Sequence, residues 1–389
     1  MAARTKTHEV SEEQVLWFRA RRGHLAGPGA ESAAAAAGAI IGAQAQQLPP
    51  SLHALSMRTA GRPTAADLKA QLLEAPRRLV RIWGQRETLH LYDPQDWATV
   101  VAARDQWGSG GRGGPMPTKA MLDKALKVVE AKGQAATRSD LITAAPASYV
   151  KAVKERAAMA GIDPKRLAAG RLIWRLALRG DLCLAGSTGK EQSYAARKAW
   201  HPELNWPSRP PSAFEAATAL AQRYLATYGP ATPKDVAHFF HARVTDARKW
   251  LAEFESDLVA VRCRDRKDLV ALKDDVDDLA AKPPAGPKDW PVRLLPLYDT
   301  LLMAHADKSW TVPLETERTL IWRKAAYVAA IVLDRGRAVA TWSQRKRSRR
   351  IEIEISPLSG WRKSKHLAPV RREANALAVH LGVESAAIE

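Results

Sequence analysis

Residues 78–92 read Arg-Leu-Val-Arg-Ile-Trp-Gly-Gln-Arg-Glu-Thr-Leu-His-Leu-Tyr. Two short runs rich in apolar and aromatic residues flank a polar segment, Gly84 to Glu87, where the chain can reverse. This pattern predicts a β-hairpin. The hairpin follows several short helices, one of them capped by Thr64. Helices followed by a two-stranded hairpin are typical of a winged helix, in which one helix enters a DNA groove and the hairpin contacts the backbone or a groove.

The same order of elements occurs three times along the chain. We predict a first unit over residues 10–107, a second over 118–206 and a third over 212–282. Glycine-rich residues 108–114 and proline-rich residues 207–211 separate the units. A threefold recurrence is not expected by chance, so three tandem winged-helix domains, each with a helix-turn-helix, are predicted.

The segment 290–389 has a different pattern. Isoleucine and glutamate alternate over residues 351–355, which is typical of a half-exposed strand. Further β-rich stretches cover 327–333 and 337–343, and a final helix is predicted over 368–381. We expect a small β-barrel-like domain or curled sheet, closed by this helix. The predicted fold class of the whole chain is therefore α+β.

The 389-residue chain is strongly basic, with 60 Lys and Arg residues against 41 Asp and Glu residues and a formal net charge of +19. Such a charge attracts polyanions, and nucleic acid fits better than a membrane surface because no run of about 18 apolar residues occurs. No signal peptide is recognisable. Cys183 and Cys263 lie far apart without metal-ligand spacing, which excludes a zinc finger and a disulfide scaffold. We expect a cytoplasmic, nucleoid-associated protein without a metal site or membrane partner.

The segment Ile40-Ile-Gly-Ala-Gln-Ala-Gln-Gln-Leu-Pro-Pro contains the main candidates for chemistry. In a continuous helix, Gln44 and Gln46 would point about 200° apart. Gly42 and Pro49 favour a helix end or break between them, where the two carboxamides can converge on one substrate. Each carboxamide offers one acceptor and two donors. The alternative interpretation is a polar helix end with solvated glutamines, and the residues alone do not exclude it.

Residues 44–46, Gln-Ala-Gln, resemble the catalytic Gln-x-Gln motif of the AlkZ-like DNA glycosylases. These are bacterial winged-helix enzymes that excise bulky N7-alkylguanine adducts and unhook interstrand crosslinks; the sister YcaQ-like branch has Gln-x-Asp. Residues 82–91 resemble the family's Trp-Gly-x-Arg-x-Thr-Leu-His strand pair, and 228–235 and 294–302 resemble later landmarks in the same order. The resemblance therefore spans nearly the whole chain. One departure is Glu87, where many relatives carry glycine, and it concerns how the first hairpin approaches DNA.

The resemblance implies hydrolysis of the N-glycosidic bond of bulky N7-alkylated purines, for DNA repair or self-resistance to a genotoxic natural product. Alkylation at N7 makes guanine cationic, so the base leaves without a general acid and paired carboxylates are dispensable. Two neutral carboxamides can direct a water molecule at C1′. We assign Gln46 to positioning this water, and Gln44 to sharing that role or orienting the nucleotide. The expected enzyme is a monomeric, monofunctional glycosylase without a cofactor, and its partner is double-stranded DNA carrying alkylated bases.

His90 and a basic hairpin tip are candidates for DNA contacts. By the resemblance, the strand of His90 lies close to the catalytic site, although a half-buried structural histidine is an equally good interpretation. Residues 344–350 contain no acidic residue and form a predicted turn. A solvated charged turn is the default, but the family uses a basic hairpin to probe the duplex, and phosphate contacts fit these cations. The cations assigned to DNA are Arg345, Lys346, Arg347, Arg349 and Arg350.

Two other classes of protein fit the composition. A winged-helix transcription regulator accounts equally well for the charge and the repeats, and it would usually bind a palindrome as a dimer. An architectural nucleic-acid protein would bind DNA without preference for lesions. The Gln-x-Gln break favours the enzyme because a regulator has no need of it. Asp299 and Asp307 could suggest an acid–base or metal pair, but helix capping explains them equally well.

Overall fold

The computed structural model describes residues 7–107, 114–133 and 135–389. The first elements are strand β1 (His8–Glu9) and helix α1 (Glu12–Arg22). Strand β1 lies before the predicted first unit and pairs in parallel with Val261 and Arg262 of the third unit, whereas α1 falls within the predicted bounds of the first unit. Helix α1 packs in a core formed with the third unit and the C-terminal segment. Of the predicted link at 108–114, residues 108–113 lie outside the described residues.

The first unit carries a short strand between two helices, and Gly42 makes this possible. Gly42 has a φ of 85°, a left-handed conformation that glycine adopts without strain. Pro49 and Pro50 then lie in the first turn of the next helix, where a missing N–H costs nothing. The elements of this unit are α2 (Ala33–Ala39), β2 (Ala43–Gln44), α3 (Leu48–Ser56), α4 (Ala65–Leu73), β3 (Val80–Trp83), β4 (Leu89–Tyr92) and α5 (Trp97–Ala103).

The small sheet of the first unit has the order β2-β4-β3. Strands β3 and β4 are antiparallel neighbours, so the hairpin predicted over residues 78–92 is confirmed. Strand β2 lies on the other side of β4, with Gln44 opposite His90. The break between helices that we predicted near Gly42 thus contains a short strand, β2, which the sequence pattern did not indicate.

The second unit has the same order of helices followed by a hairpin. Its sheet has the order β5-β7-β6, and its own core includes Leu172, Leu182 and Tyr194. The elements are α6 (Lys119–Ala131), β5 (Ala136–Thr137), α7 (Arg138–Ile142), α8 (Ala147–Ala152), α9 (Lys154–Met159), α10 (Pro164–Leu178), β6 (Leu182–Thr188), β7 (Glu191–Ala196) and α11 (Arg197–Trp200).

The third unit shares a hydrophobic core with the first. Tyr224, Tyr228 and Phe239 are fully buried in the cluster that also contains Ala43 and Leu91. The sheet of the third unit has the order β1-β8-β9. The elements are α12 (Ala213–Tyr228), α13 (Pro233–Phe240), α14 (Val244–Ala252), β8 (Leu258–Cys263), β9 (Arg266–Leu272) and α15 (Val276–Ala280).

The C-terminal segment forms a curled five-stranded sheet with the order β10-β11-β12-β13-β14. Its first and last strands do not pair with each other among the described residues, so of the two expected forms the structure has the curled sheet. Helix α18 packs on it through Val370 and Leu377. The elements are β10 (Arg293–Leu295), α16 (Thr300–Met303), α17 (Glu315–Ile321), β11 (Ile331–Asp334), β12 (Arg337–Lys346), β13 (Arg350–Pro357), α18 (Lys363–Leu381) and β14 (Ser385–Ile388).

The mixed α+β class is confirmed by this arrangement. Among the residues that the structure describes, no helix is both long and apolar enough to cross a lipid bilayer.

Candidate active site

Gln44 and Gln46 both lie along strand β4. Gln44 is half-buried opposite His90, and Gln46 is exposed. Ala45 between them is fully buried, and its N–H donates to Leu89 O at 2.6 Å. Strand β2 ends at Gln44, and Gln46 lies in a bend just before α3. The structure therefore has the helix break that we predicted, between α2 and α3.

Each glutamine uses its carboxamide oxygen to accept a hydrogen bond from the protein. Gln44 Oε1 accepts from Arg86 Nη2 at 3.2 Å, and Gln46 Oε1 accepts from the Leu89 N–H at 3.2 Å. Each oxygen keeps a second lone pair, and each N–H₂ group keeps two donors. The pair can thus bind oxygen atoms through N–H₂ and accept a hydrogen bond from a water molecule through Oε1.

Arg81 holds the backbone between the two glutamines. Its Nε and Nη2 donate to Ala45 O at 3.1 and 2.8 Å, and its Nη1 lies 3.5 Å from Gln192 Oε1 of the second unit. A forked guanidinium that binds one carbonyl twice fixes the local chain direction. Sequence reasoning missed Arg81 because its partner lies 36 residues away.

His90 has no exposed surface. Its Nδ1 lies 2.9 Å from Thr88 O and therefore carries the proton, so Nε2 accepts from Arg86 Nη2 at 3.4 Å. Burial, and then the neighbouring charge of Arg86, lowers the pKa of His90 to about 3. The imidazole is therefore neutral near pH 7. A side chain without exposed surface does not reach DNA in this conformation, so the structural interpretation of His90 fits better than a DNA contact.

Arg86 lies at the tip of the first hairpin and reaches the third unit. Its Nη1 donates to Phe239 O at 2.8 Å, and its guanidinium carbon lies 5.6 Å from the centre of the Phe239 ring. Burial lowers its pKa to about 10, so the guanidinium stays charged at neutral pH. Sequence reasoning assigned no role to Arg86, although its place in the Trp-Gly-x-Arg stretch was a signal.

Comparison with known proteins identifies the family. The family description "DNA glycosylase AlkZ-like" matches residues 37–380, which is most of the chain. This protein is an AlkZ-like DNA glycosylase family member. A curated relative, the "Interstrand DNA cross-link repair glycosylase" of Streptomyces sahachiroi, is 25% identical over 346 residues, which cover 86% of this chain and 88% of the relative.

A solved structure has the same fold as this AlkZ-like chain. It is the DNA glycosylase AlkZ of Streptomyces sahachiroi, with a TM-score of 0.77 and 22% identity, and the match covers 98% of this chain and 99% of that one. At this identity the likeness shows the fold alone. The family that we identified from the Gln-x-Gln motif is confirmed by the sequence match.

Two further basic side chains, Lys308 and His238, lie close enough to Arg86 in this AlkZ-like protein for its charge to affect them. Lys308 Nζ donates to Leu302 O at 3.2 Å and His305 O at 2.6 Å, and it lies 3.2 Å from His238 Nε2. Burial, and then the charge of Arg86, lowers the pKa of Lys308 to about 8. Burial and the charge of Lys308 lower the pKa of His238 to about 4. The site is therefore electropositive, as an enzyme acting on DNA requires.

The basic hairpin lies between β12 and β13, and its cations are exposed as expected. Glu352 accepts from Arg347 at 2.8 Å and from Arg350 at 2.9 Å, and Glu384 pairs with Arg349. The turn sequence contains no acid, so sequence reasoning missed these partners in the adjoining strand and in the chain end. Arg345 and Lys346 form no ion pair among the described residues.

The two aspartates considered for chemistry have structural roles. Asp299 accepts from the Leu301 N–H at 3.0 Å at the start of α16, and Asp307 accepts from the Ser309 N–H at 2.9 Å. Asp299 also pairs with Arg58. Within the described ranges, no group of three or more His, Cys, Asp or Glu side chains could hold a metal ion.

Proposed function

We propose that this protein hydrolyses the N-glycosidic bond of bulky N7-alkylated purines in double-stranded DNA and leaves an abasic site. Membership of a DNA glycosylase family supports an enzyme and disfavours a transcription regulator. The printed name of the Streptomyces relative supports an extension to interstrand crosslinks and to DNA repair. Self-resistance to a DNA-alkylating natural product is the corresponding role in the cell.

The placement of Gln44 and Gln46 is the observation that carries the proposal. Both carboxamides lie along one strand, with a buried alanine between them and unused donors on each. The two carboxamide oxygens accept from Arg86 and from the Leu89 N–H, and neither of these donors acts as a general acid. A cationic base needs none, because the alkylated purine departs as a neutral molecule.

The two glutamines have different roles in this mechanism. Gln46 is exposed, and its carboxamide holds a water molecule in line with C1′ of the damaged nucleotide. Gln44 is half-buried and bonded to Arg86, so it orients the nucleotide. Because both carboxamides are neutral, they position the water through hydrogen bonds and do not deprotonate it before it attacks. Attack of the water on C1′ breaks the bond to the base, and the water loses its proton to solvent.

A hydrolytic, monofunctional reaction fits the state of Lys308. The Lys308 amine has acceptors for all three of its N–H groups, namely Leu302 O, His305 O and His238 Nε2. An amine engaged in this way is not free to attack C1′ and form a Schiff base.

We propose that the protein binds DNA as a monomer, through exposed basic side chains. We infer that the three helix-and-hairpin units are winged helices, within the boundaries predicted from the sequence. The hairpin cations contact phosphates on the duplex. Arg345 and Lys346 carry most of this contact, because the other three cations already have carboxylate partners.

The test is incubation with a duplex that contains one N7-alkylguanine, followed by alkaline cleavage at abasic sites. Wild-type protein should produce a single cleaved product. Gln46→Ala should lower the single-turnover rate by about 10²-fold, as expected for loss of a group that positions the nucleophile. Gln47→Ala, at an exposed glutamine outside the motif, is the matched control and should leave the rate unchanged. Excision at the normal rate by the Gln44→Ala/Gln46→Ala double variant would contradict the mechanism.

A further inference from the structure

The orientation of the Gln44 carboxamide depends on a single neighbour. An amide side chain can turn by 180°, which exchanges its oxygen and its nitrogen. Arg86 offers only N–H donors, so the oxygen of Gln44 must face it, at 3.2 Å from Nη2. The N–H₂ group of Gln44 is thereby directed away from Arg86.

Arg86 is itself held on several sides. Phe239 O accepts from its Nη1, the Phe239 ring lies beside its guanidinium, and His90 Nε2 accepts from Nη2. Because His90 is neutral and donates through Nδ1 to Thr88 O, it can only accept on this side. These contacts come from the third unit and from β4, so they fix the guanidinium relative to strand β2, which carries Gln44.

The backbone at the hairpin tip, which carries Arg86, has an unfavourable conformation. Arg86 and the next residue, Glu87, have φ values of 56° and 54°. A non-glycine residue in the left-handed region is strained, and such positions are concentrated at functional sites. A tip that retains two of them is consistent with a required position for Arg86.

We propose that Arg86 is a positioning residue: it fixes the Gln44 carboxamide so that the N–H₂ group binds an oxygen atom of the damaged nucleotide, on the deoxyribose or the phosphate. The inference rests on the proposed function, and it assigns a role to the Gln44 end of the candidate active site. A cation beside the amide oxygen strengthens the N–H₂ group as a donor. The same cation makes this place unsuitable for a positively charged sugar, so Gln44 acts on the ground state of the nucleotide and Gln46 acts on the water.

The test compares Arg86→Met and Arg86→Lys with the matched control Arg77→Met. Arg77 is likewise buried, donates to a backbone carbonyl, Trp200 O, at 2.9 Å and lies over an aromatic ring, but it does not touch the glutamines. Arg86→Met should lower single-turnover excision by about 10- to 100-fold, the range for a lost hydrogen bond to a charged group. Arg86→Lys should recover only part of the rate, because an ammonium lacks the fork. Arg77→Met should excise at the wild-type rate.

A double-mutant cycle separates positioning from simple loss of stability. In a Gln44→Ala background, Arg86→Met should change the rate by less than about 3-fold, because its partner is already absent. An equal loss in both backgrounds would overturn the inference. Guanidinium ion should restore excision to Arg86→Ala and not to Arg77→Ala, and absence of this rescue in a folded variant would also overturn it. If Arg86→Met does not fold, the milder Arg86→Lys serves in the same cycle.

Spectroscopy gives a readout that does not depend on excision. Charges facing the His90 ring come from Arg86 and Arg104, and both lower its pKa after burial. Removing the Arg86 charge should therefore raise the pKa of His90 measured by NMR, and an unchanged value would show that the contact is not formed. Absence of excision by the wild-type protein would instead contradict the proposed function and leave this NMR result standing as the measure of the contact.

Discussion

The carboxylate of Asp299 accepts two hydrogen bonds from the guanidinium of Arg58, at 2.8 and 2.9 Å, and neither side chain is exposed to solvent. The pair joins the end of helix α3 to the start of helix α16, 241 residues later in the chain. Arg58 also donates to Ala54 O at 3.0 Å. Strand β2, which carries Gln44, lies just before α3, so this ion pair links the candidate active site to the C-terminal segment.

Asp299→Ala should lower the free energy of unfolding by about 3–5 kcal/mol, because it leaves the Arg58 charge buried and unpaired. Urea denaturation followed by tryptophan fluorescence measures the change. Asp123→Ala removes an exposed partner of Lys119 and should cost less than about 1 kcal/mol. Equal effects of the two substitutions would show that the Arg58 pair is solvated in solution.

Gly42→Ala should destabilise the first unit and slow excision. A Cβ atom at residue 42 would overlap with the ring of Tyr92, and the φ of 85° is unfavourable for alanine. We expect a loss of about 2–4 kcal/mol, the sum of left-handed strain and overpacking. Gly61→Ala is the control, because Gly61 also has a positive φ but nothing lies within 4 Å of the added atom. A similar loss at both glycines would exclude the contact with Tyr92 as the cause.

Stability should fall as the solution is acidified from about pH 6.5. Burial lowers the pKa of His53 well below its usual value, and the pKa of His90 is about 3. Below about pH 6.5 the unfolded chain binds protons at these histidines and the folded chain does not. Their contribution to stability is therefore fully present above pH 6.5 and is lost as the pH falls toward the pKa values of the folded state. His53→Leu, outside the active site, should flatten the dependence by up to about 1.4 kcal/mol per pH unit. An unchanged slope in urea denaturation between pH 6.5 and 4.5 would contradict a neutral, buried His53.

Two variants of the basic hairpin and its adjoining strand should shift DNA affinity in opposite directions. Arg345→Ser/Lys346→Ser should reduce the slope of log affinity against log salt by about one to two units, since each phosphate contact contributes about 0.9. Glu352→Gln frees Arg347 and Arg350 from their shared partner and should tighten binding at low salt. Fluorescence anisotropy with undamaged duplex measures both effects.

Glu354→Gln, on the same strand, is the control for the charge change, because Glu354 accepts a hydrogen bond from Ser343 and forms no ion pair among the described residues. If Glu354→Gln tightens binding as much as Glu352→Gln, general electrostatics explains the gain. A salt slope that is unchanged in the Arg345→Ser/Lys346→Ser variant would remove this hairpin from the DNA interface.

Local signals in the sequence were sufficient for the hairpin and for the glutamine segment. Gly42 and Pro49 both act on their own backbone, so the end of one helix and the start of the next could be predicted from residue type. The contact of Arg86 with Phe239 spans 153 residues, and no periodicity encodes it. Glu352 was visible in the alternating strand, but its pairing with the turn depends on the register of β12 and β13.

The position of helix α1 could not be predicted for the same reason. Its capping signal at Ser11 is local, whereas its packing partners lie in β8, β9 and β11, more than 230 residues away. Apolar residues on a helix face show that the face is buried but not which surface covers it.

This placement of α1 has a consequence for folding during synthesis. Val15 and Phe18 are buried against side chains such as Val261, Leu269 and Leu333, which leave the ribosome long after them. At about 5–20 residues per second, roughly 300 further residues take on the order of 15 to 60 s. For that interval the apolar face of α1 has no native partner, so the nascent chain depends on chaperones or on transient burial to avoid aggregation.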